Sequence, residues 1–241
     1  MPNEVLIIFS LLVIYFSVII WYKLFGKYGL IGFSVFATVA ANIEVLIVVE
    51  AFGMEQTLGN VLFASTFLIT DILSETEGKK ESQKAVNIGI AASVSFALLS
   101  QLWLLYTPAP SDQVFSAVQT VFSGIPRVIF VSLAVYAITQ KFDVWVYHKW
   151  WDFTTKKFGD RRKYLWLRNN GSTLLSQLLN TVLFTFGAFL GTYEFTTVLS
   201  IAASSYVIYI FTSLLDTPFV YLARRIYEKN SAQKENRAIA K

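Results

Sequence analysis

Cysteine is absent from the 241 residues of this sequence, and His148 is its single histidine. These absences exclude disulfides, thiolate catalysis, cysteine zinc sites and histidine metal clusters. The sequence also lacks the G-x-x-x-x-G-K-[ST] phosphate loop and the H-E-x-x-H and G-x-S-x-G motifs of hydrolases. We therefore expect no catalytic residue, no metal and no cofactor, and we predict that the protein is not an enzyme.

Charged residues are scarce and hydrophobic residues are abundant. The charged share is 15%, whereas a soluble domain has about 25%. The hydrophobic share is 55% and the mean hydropathy is +0.53. Both values are typical of a membrane protein, and the length suits one compact helical bundle without a second sizeable soluble domain.

Several segments are apolar for long enough to cross a bilayer, which takes about 20 residues in a helix. The seven segments are 4–22, 29–50, 57–74, 85–106, 126–147, 171–191 and 196–223. The first exceeds a signal-peptide core in length and has no Lys or Arg before it, so we interpret it as a span. We predict an all-α, polytopic membrane bundle of about seven transmembrane helices. Residues 1–227 form a single transmembrane domain, and 228–241 form a polar tail predicted to be disordered.

Basic residues are confined to alternate connections between these segments. The connections 23–27, 75–84 and 148–169 and the tail after 223 hold 18 of the 20 Lys and Arg residues. Because Lys and Arg are enriched in cytoplasmic loops, we predict an N-terminus outside and a C-terminus inside, in the cell membrane. The outer loop 107–124 repeats apolar residues at helical spacing. A short surface helix and a plain loop are both compatible with this pattern.

Charged and amide side chains nevertheless occur inside the apolar segments. A charge at mid-bilayer costs about 2.5–3.5 kcal/mol on insertion scales, so such groups are expected to converge on a polar interior. The candidate site residues are Asn42, Glu44, Asp71, Arg127, Gln140, Asp143, Gln177, Asn180 and Asp216. Alternatives stay open, because Asp71 and Asp216 could reach interfacial water, Arg127 and Lys141 could snorkel to headgroups, and the amides could join helices.

Spacing supports convergence for part of this set. Gln140 and Asp143 share a helix face, and Thr173, Gln177 and Asn180 form one polar stripe. Glu44 lies deep in its segment and is the hardest to explain by contact with the interface. The similar strings NVLF at 60–63 and NTVLF at 180–184 hint at an internal repeat of opposite orientation.

Five longer motifs cover most of the chain. They are TVAANIEVL (38–46), LFASTFLITDILSE (62–75), PRVIFVSLAVYAITQKFDVWVYH (126–148), LWLRNNGSTLLSQLLNT (165–181) and LLDTPFVYLARR (214–225). Together they resemble the queuosine precursor transporters, also called the VUT family. The resemblance implies a six-helix core, to which the segment 4–22 is an addition. It also implies import of 7-deazaguanine bases, such as 7-cyano-7-deazaguanine, which feed the queuosine modification of tRNA.

The resemblance also assigns residues and partners. The motif positions are Asn42, Asp71, Arg127, Gln140, Asp143, Ser172 and Thr173, and Gln177 follows the same pattern. Asn180 departs from it, because an aspartate is expected before Thr181. The implied partners are a small-molecule base and the lipid bilayer, without nucleic acid, and we keep a homodimer open.

The chemistry of a deazaguanine agrees with these residue types. Its ring N–H and exocyclic amine lie side by side, so one carboxylate can accept both hydrogen bonds. Glu44 is the first candidate for this carboxylate, followed by Asp71 and Asp143. The many Phe and Tyr residues leave the stacking partner unassigned.

Two other function classes remain open at this stage. The chain could be the substrate-capturing component of an energy-coupling vitamin importer, which would dock on its partner through small residues such as Ala37 and Ala41. It could also be a membrane enzyme or scaffold. Co-purification with an ATPase module would distinguish the capturing component from a self-sufficient transporter.

Overall fold

The computed structural model describes residues 1–123, 126–160 and 163–239, apart from the side chains of 126–129 and 234–239. Within these ranges the chain forms eight helices and one β-hairpin. The elements are α1 (Asn3–Phe25), α2 (Lys27–Glu44), β1 (Val48–Ala51), β2 (Met54–Thr57), α3 (Gly59–Thr76), α4 (Lys79–Trp103), α5 (Phe115–Ser123), α6 (Pro126–Phe158), α7 (Leu165–Phe189) and α8 (Phe195–Ile239).

The helical bundle agrees with the predicted fold class. Each of the seven apolar segments falls mainly within one long helix. By length and composition, four of the described helices could cross a membrane: α1, α4, α7 and the part Phe195–Gln233 of α8. The count of seven spans and their orientation stay predictions.

Helix α3 lies at the centre of the bundle, in contact with α1, α2, α4, α6 and α8. Sixteen of its 18 residues are buried. Neighbouring helices therefore shield it from lipid, which allows α3 to carry more polar residues than a lipid-facing span. Gly59 starts α3 against the end of α2, since a Cβ there would lie 2.8 Å from the backbone nitrogen of Val45.

The span predicted over 29–50 extends too far, because α2 ends at Glu44 and a β-hairpin follows. Strands β1 and β2 pair in antiparallel fashion from Val48 with Thr57 to Ala51 with Met54. Phe52 and Gly53 both have positive φ, at 55° and 70°. Those angles are typical of a two-residue hairpin turn, and β-branched Val48 and Val49 favour the strand. The apolar run there belongs to a strand and not to a longer helix.

The hairpin is attached to the start of α1. The side-chain amide of Asn3 donates to the carbonyl oxygen of Glu50 over 2.8 Å, and the backbone N–H of Phe52 donates to Glu4 Oε1 over 3.0 Å. The hairpin and the N-terminus therefore lie at the same end of the bundle, which is the end predicted to face outside.

The loop 107–124 contains the short helix α5. Of the two alternatives that the sequence left open, a short helix and a plain loop, the structure has the helix. Asp112 Oδ1 accepts hydrogen bonds from the backbone N–H groups of Val114 and Phe115, over 2.9 and 2.6 Å, just before the helix begins. At the other end, the side-chain amide of Gln101 on α4 donates to the carbonyl oxygen of Phe122 over 3.2 Å. These bonds hold α5 against α4.

The basic connections lie together at the opposite end. Lys27 pairs with Glu81 over 3.2 Å, which joins the α1–α2 connection to the start of α4. Helix α8 leaves the bundle here and continues to Ile239, through the segment for which the sequence predicts disorder. Extending a formed helix needs no new nucleation, so polar residues can prolong α8 beyond its packed part.

The small-residue face considered for docking is buried inside the chain. Ala37 is fully buried and Ala41 is 8% exposed. Both belong to the apolar core, which is shared with α3. This packing leaves the Ala37–Ala41 face closed to a partner and removes the feature that suggested a capturing component.

Candidate functional site

A central cavity lies between α2, α3, α4, α6, α7 and α8. Its volume is about 50 Å³, which suffices for a few ordered water molecules. Aromatic rings and side-chain amides dominate its lining: Phe63, Tyr136, Phe184 and Tyr209 with Asn42, Asn60 and Asn180. Rings beside amides can bind a flat polar molecule, because the rings cover its faces and the amides pair with its edge.

Hydrogen bonds fix several of these groups. Asn180 Nδ2 lies 3.3 Å from the hydroxyl of Tyr209, which donates to Asn60 Oδ1 over 2.7 Å. Tyr209 therefore links α3 and α7 from its place on α8. On the opposite wall, the hydroxyl of Ser132 lies 3.4 Å from Asn42 Oδ1.

A larger space, the vestibule, lies between the hairpin and helices α7 and α8. Its volume is about 330 Å³. Asn60 and Phe184 line both the vestibule and the central cavity. The two spaces therefore adjoin at these side chains, and the vestibule connects the cavity to the hairpin end of the molecule.

Three buried aspartates form an acidic core beyond the cavity: Asp71 on α3, Asp143 on α6 and Asp216 on α8. Their exposed fractions are 0, 0 and 1%. Asp71 interacts electrostatically with both Asp143 and Asp216. Charged residues converge here, as the sequence predicts. Asp71 and Asp216 are buried and do not reach interfacial water.

Neutral groups contact the acidic core. The hydroxyl of Thr173 donates to Asp71 Oδ2 over 2.9 Å, and the amide of Asn169 donates to Asp216 Oδ1 over 2.7 Å. The hydroxyl of Thr70 lies 3.5 Å from Asp143 Oδ2. The Oδ1 atoms of Asp71 and Asp143 have no hydrogen-bond partner.

An ion-pair layer follows the acidic core toward the basic end. Arg168 Nη2 lies 2.7 Å from Glu75 Oε1, and its Nε donates to Oε2 over 3.0 Å. Arg224 approaches the same carboxylate at 3.3 Å, and the hydroxyl of Tyr147 donates to it over 2.8 Å. The side chains of Arg168 and Glu75 are 0 and 3% exposed. This layer closes the basic end of the polar interior.

Comparison with known proteins identifies the family. Residues 57–223 match the family model described as "Putative vitamin uptake transporter". The chain is also 39% identical over 226 residues to a protein of Bacillus subtilis (strain 168) named "Probable queuosine precursor transporter", covering 94% of this chain and 96% of that protein. The chain belongs to the vitamin uptake transporter family. No solved structure matches it.

Membership of the vitamin uptake transporter family assigns a broad role. The family consists of transporters, and the apolar helices agree with a multi-pass membrane protein. This transporter thus has three polar layers along its interior. In order from the hairpin end, they are the cavity, the acidic core and the ion-pair layer.

The sequence-predicted residues of this transporter divide among these layers. Asn42 and Asn180 line the central cavity, and Asp71, Asp143 and Asp216 form the acidic core. Gln140 lies between the two layers, where its amide donates to Thr66 Oγ1 over 2.6 Å. Gln177 is fully buried on the face of α7 that carries Thr173.

Two other predicted positions, Glu44 and Lys141, lie apart from these layers. Glu44 is half-buried at the last residue of α2 and outside the cavity lining. Lys141 is exposed on α6, in agreement with snorkelling. The side chain of Arg127 lies outside the described residues.

Sequence reasoning missed Asn60, Tyr136 and Tyr209 in the cavity and Glu75 with Arg168 in the ion-pair layer. The repeated strings NVLF and NTVLF contained a signal, because Asn60 and Phe63 face the cavity from α3 as Asn180 and Phe184 do from α7. Tyr136 could have been found from its spacing of four and seven residues from Gln140 and Asp143. Glu75 and Arg168 gave no such signal, since both lie next to the charged connections at the basic end.

Proposed function

We propose that this transporter imports queuosine precursors, which are 7-deazaguanine bases such as 7-cyano-7-deazaguanine, across the cell membrane. The observation that carries the proposal is the central cavity, which combines aromatic rings with three side-chain amides. The relative from Bacillus subtilis, named "Probable queuosine precursor transporter", supports the same substrate class. Inside the cell, the base would feed the queuosine modification of tRNA.

The amides suit the polar edge of such a base. Each primary amide presents a donor and an acceptor side by side, and a deazaguanine edge presents both kinds of group. Asn60 and Asn180 are oriented by Tyr209, so their remaining donors and acceptors have defined directions. In this proposal Asn42, Asn60 and Asn180 read the base, and Gln140 completes the polar wall toward the acidic core.

The aromatic rings suit its flat faces. Phe63 and Tyr136 meet edge to face, with ring centroids 5.9 Å apart. Phe184 stands where the cavity and the vestibule adjoin. A base is larger than the cavity in this closed form, so we propose that Phe184 moves toward the vestibule when the base arrives and then covers one of its faces.

Restoration of queuosine tests the proposal. A bacterium that cannot make or import the precursor should regain queuosine in its tRNA when it expresses this chain at low external precursor. The control is the same chain with Gly59 replaced by Trp, whose side chain meets the backbone of Val45 and should prevent assembly. A membrane-inserted, well-expressed wild-type protein that restores no queuosine would refute the proposal.

A further inference from the structure

The acidic core contains two interacting carboxyl groups without water around them. Asp71 and Asp143 are fully buried, and the hydroxyl of Thr70, the residue before Asp71, lies 3.5 Å from Asp143 Oδ2. Two neighbouring negative charges repel strongly in a poorly polarisable interior, and neither has water to solvate it. Burial therefore favours the protonated form of at least one of these two side chains.

Among the described side chains of the surrounding helices, no positive charge replaces that proton. Among the described residues, no Lys or Arg forms an ion pair with the three aspartates, because Arg168 and Arg224 both turn to Glu75. The titratable groups that face the pair are Asp216 on α8, Tyr15 on α1 and Tyr147 on α6. The hydroxyl of Tyr15 lies 3.2 Å from the carbonyl oxygen of Thr212, and that of Tyr147 donates to Glu75.

The remaining neighbours are neutral. Helix α7 contributes Ser172, Thr173 and Ser176, and from α4 the hydroxyl of Ser82 donates to the carbonyl oxygen of Thr70 over 3.0 Å. Helix α2 reaches the neighbouring cavity with Thr38 and Asn42. Among the described residues, no cationic side chain thus balances the charge of the pair.

A buried amide on α7 also has open hydrogen-bonding groups. Gln177 is fully buried, and neither its Nε2 nor its Oε1 has a partner. It follows Thr173 by one turn on the same face of α7, and Thr173 donates to Asp71. A buried amide with both groups open is costly. Its open donor and acceptor are available to a polar group that arrives at this level of α7.

We propose that Asp71 and Asp143 bind the proton that drives uptake, so that the protein is a proton–base symporter. This inference rests on the proposed import of a base. In each cycle one proton from the outer water binds the pair while the base occupies the cavity. Once the ion-pair layer opens, both leave to the cytoplasm, and the pair returns with one proton fewer. One positive charge enters with each neutral base.

The position of the Asp71–Asp143 pair explains how binding of the proton is coupled to binding of the base. Gln140 and Asp143 lie on one face of α6, and the amide of Gln140 contacts Thr66, one turn before Thr70 on α3. The unprotonated pair would repel and separate α3 from α6 at this level. Protonation therefore favours the packed conformation that closes around the base, and loss of the proton favours its release.

Purified wild-type protein in liposomes tests the proposal directly. With potassium and valinomycin clamping the voltage at zero, labelled 7-cyano-7-deazaguanine on both sides and the outside one pH unit more acidic, one proton per base predicts about tenfold accumulation inside. A protonophore under the same clamp should return the ratio to one. A pH dye in a weakly buffered lumen should report acidification as the base enters.

The variants Asp71→Asn and Asp143→Asn locate the effect. Each removes a proton-binding group while keeping the size of the side chain. Both should lose the tenfold accumulation, and exchange of labelled for unlabelled base then measures how much base binding each variant retains. Asp152→Asn is the matched control, because Asp152 is exposed on the same helix α6 and should accumulate base like the wild type.

The outcomes separate the two claims. Wild-type uptake that stops at equal concentrations despite the pH difference would overturn proton coupling and leave base transport standing. Undiminished accumulation by both Asn variants would likewise overturn the assignment to the pair. Absence of any uptake or exchange by folded wild-type protein would refute base transport and this inference with it. Because the wild-type measurements need no variant, they decide the matter even if an Asn variant does not fold.

Discussion

At the scale of single residues, Tyr209 is the side chain on which the geometry of the cavity depends most. Its hydroxyl contacts Asn60 and Asn180, which belong to two different helices. Replacing Tyr209 by Phe should weaken base binding by about 1–3 kcal/mol, because a buried amide loses its partner. That loss corresponds to about 5- to 150-fold in Kd.

Calorimetry on the purified protein measures this effect. Tyr206→Phe is the control, because Tyr206 also lies on α8 and its hydroxyl only approaches the carbonyl oxygen of Leu174, at 3.4 Å. We expect it to bind within about threefold of the wild type, as for loss of a weak hydrogen bond. Equal affinities of Tyr209→Phe and the wild type would contradict the assigned role of Tyr209.

Glu44 is the residue on which sequence and geometry lead to different expectations. If its carboxylate read the base, as the sequence suggests, Glu44→Gln would cost about 2–4 kcal/mol, or about 30- to 1000-fold in Kd. Its place outside the cavity lining instead predicts binding within about threefold of the wild type. Lys141→Gln removes a charge from the exposed side of α6 and should change binding by less than about threefold. A folded Glu44→Gln protein that binds like the wild type would support the cavity amides as the groups that read the base, and a loss of about 30-fold or more would contradict that assignment.

At the scale of elements, the ion-pair layer joins α3, α6, α7 and α8 through the single carboxylate of Glu75. Replacing Glu75 by Gln leaves the buried guanidinium of Arg168 without its charged partner. Removing one partner of a buried pair costs about 3–5 kcal/mol. The variant should therefore unfold at a clearly lower temperature in detergent.

Glu77→Gln serves as the comparison for that measurement. Glu77 is half-buried two residues further along, at the end of α3, and forms no ion pair among the described residues. The Glu77→Gln variant should have a melting temperature close to that of the wild type. A Glu75→Gln protein with the same melting temperature as Glu77→Gln would show that the layer adds nothing to stability.

Sequence patterns predicted the long helices and part of the interior, for identifiable reasons. Helices α1, α4, α7 and α8 each contain an apolar stretch long enough to cross a membrane, and hydropathy alone detects such a stretch. Asp71, Asp143 and Asp216 stood out because a charge in an apolar segment is costly. The hairpin was missed because Val48 and Val49 extend an apolar run, and only the turn at Phe52 and Gly53 distinguishes a strand from a span there. Contacts such as Tyr209 with Asn60 depend on which helices adjoin, which spacing within one helix cannot reveal.

At the scale of the whole molecule, the distribution of basic residues makes a prediction about orientation. A cysteine introduced at Ser111, an exposed position in the loop before α5, should react with an impermeant thiol reagent in intact cells. A cysteine at Ser231, exposed on the far part of α8, should react only after permeabilisation. The natural absence of cysteine makes each signal unambiguous. Labelling of Ser231→Cys in intact cells would reverse the predicted topology.

The burial of α3 on nearly all sides has a consequence for how the protein is made. As the ribosome releases α3 into the membrane, the helices that later surround Asp71, namely α6, α7 and α8, have not yet been synthesised. A helix with a carboxyl group and many hydroxyls is poorly soluble in lipid by itself. We therefore expect α3 to stay at the insertion machinery until its later partners emerge. Chains truncated after α4 should be degraded by membrane proteases much faster than the complete chain.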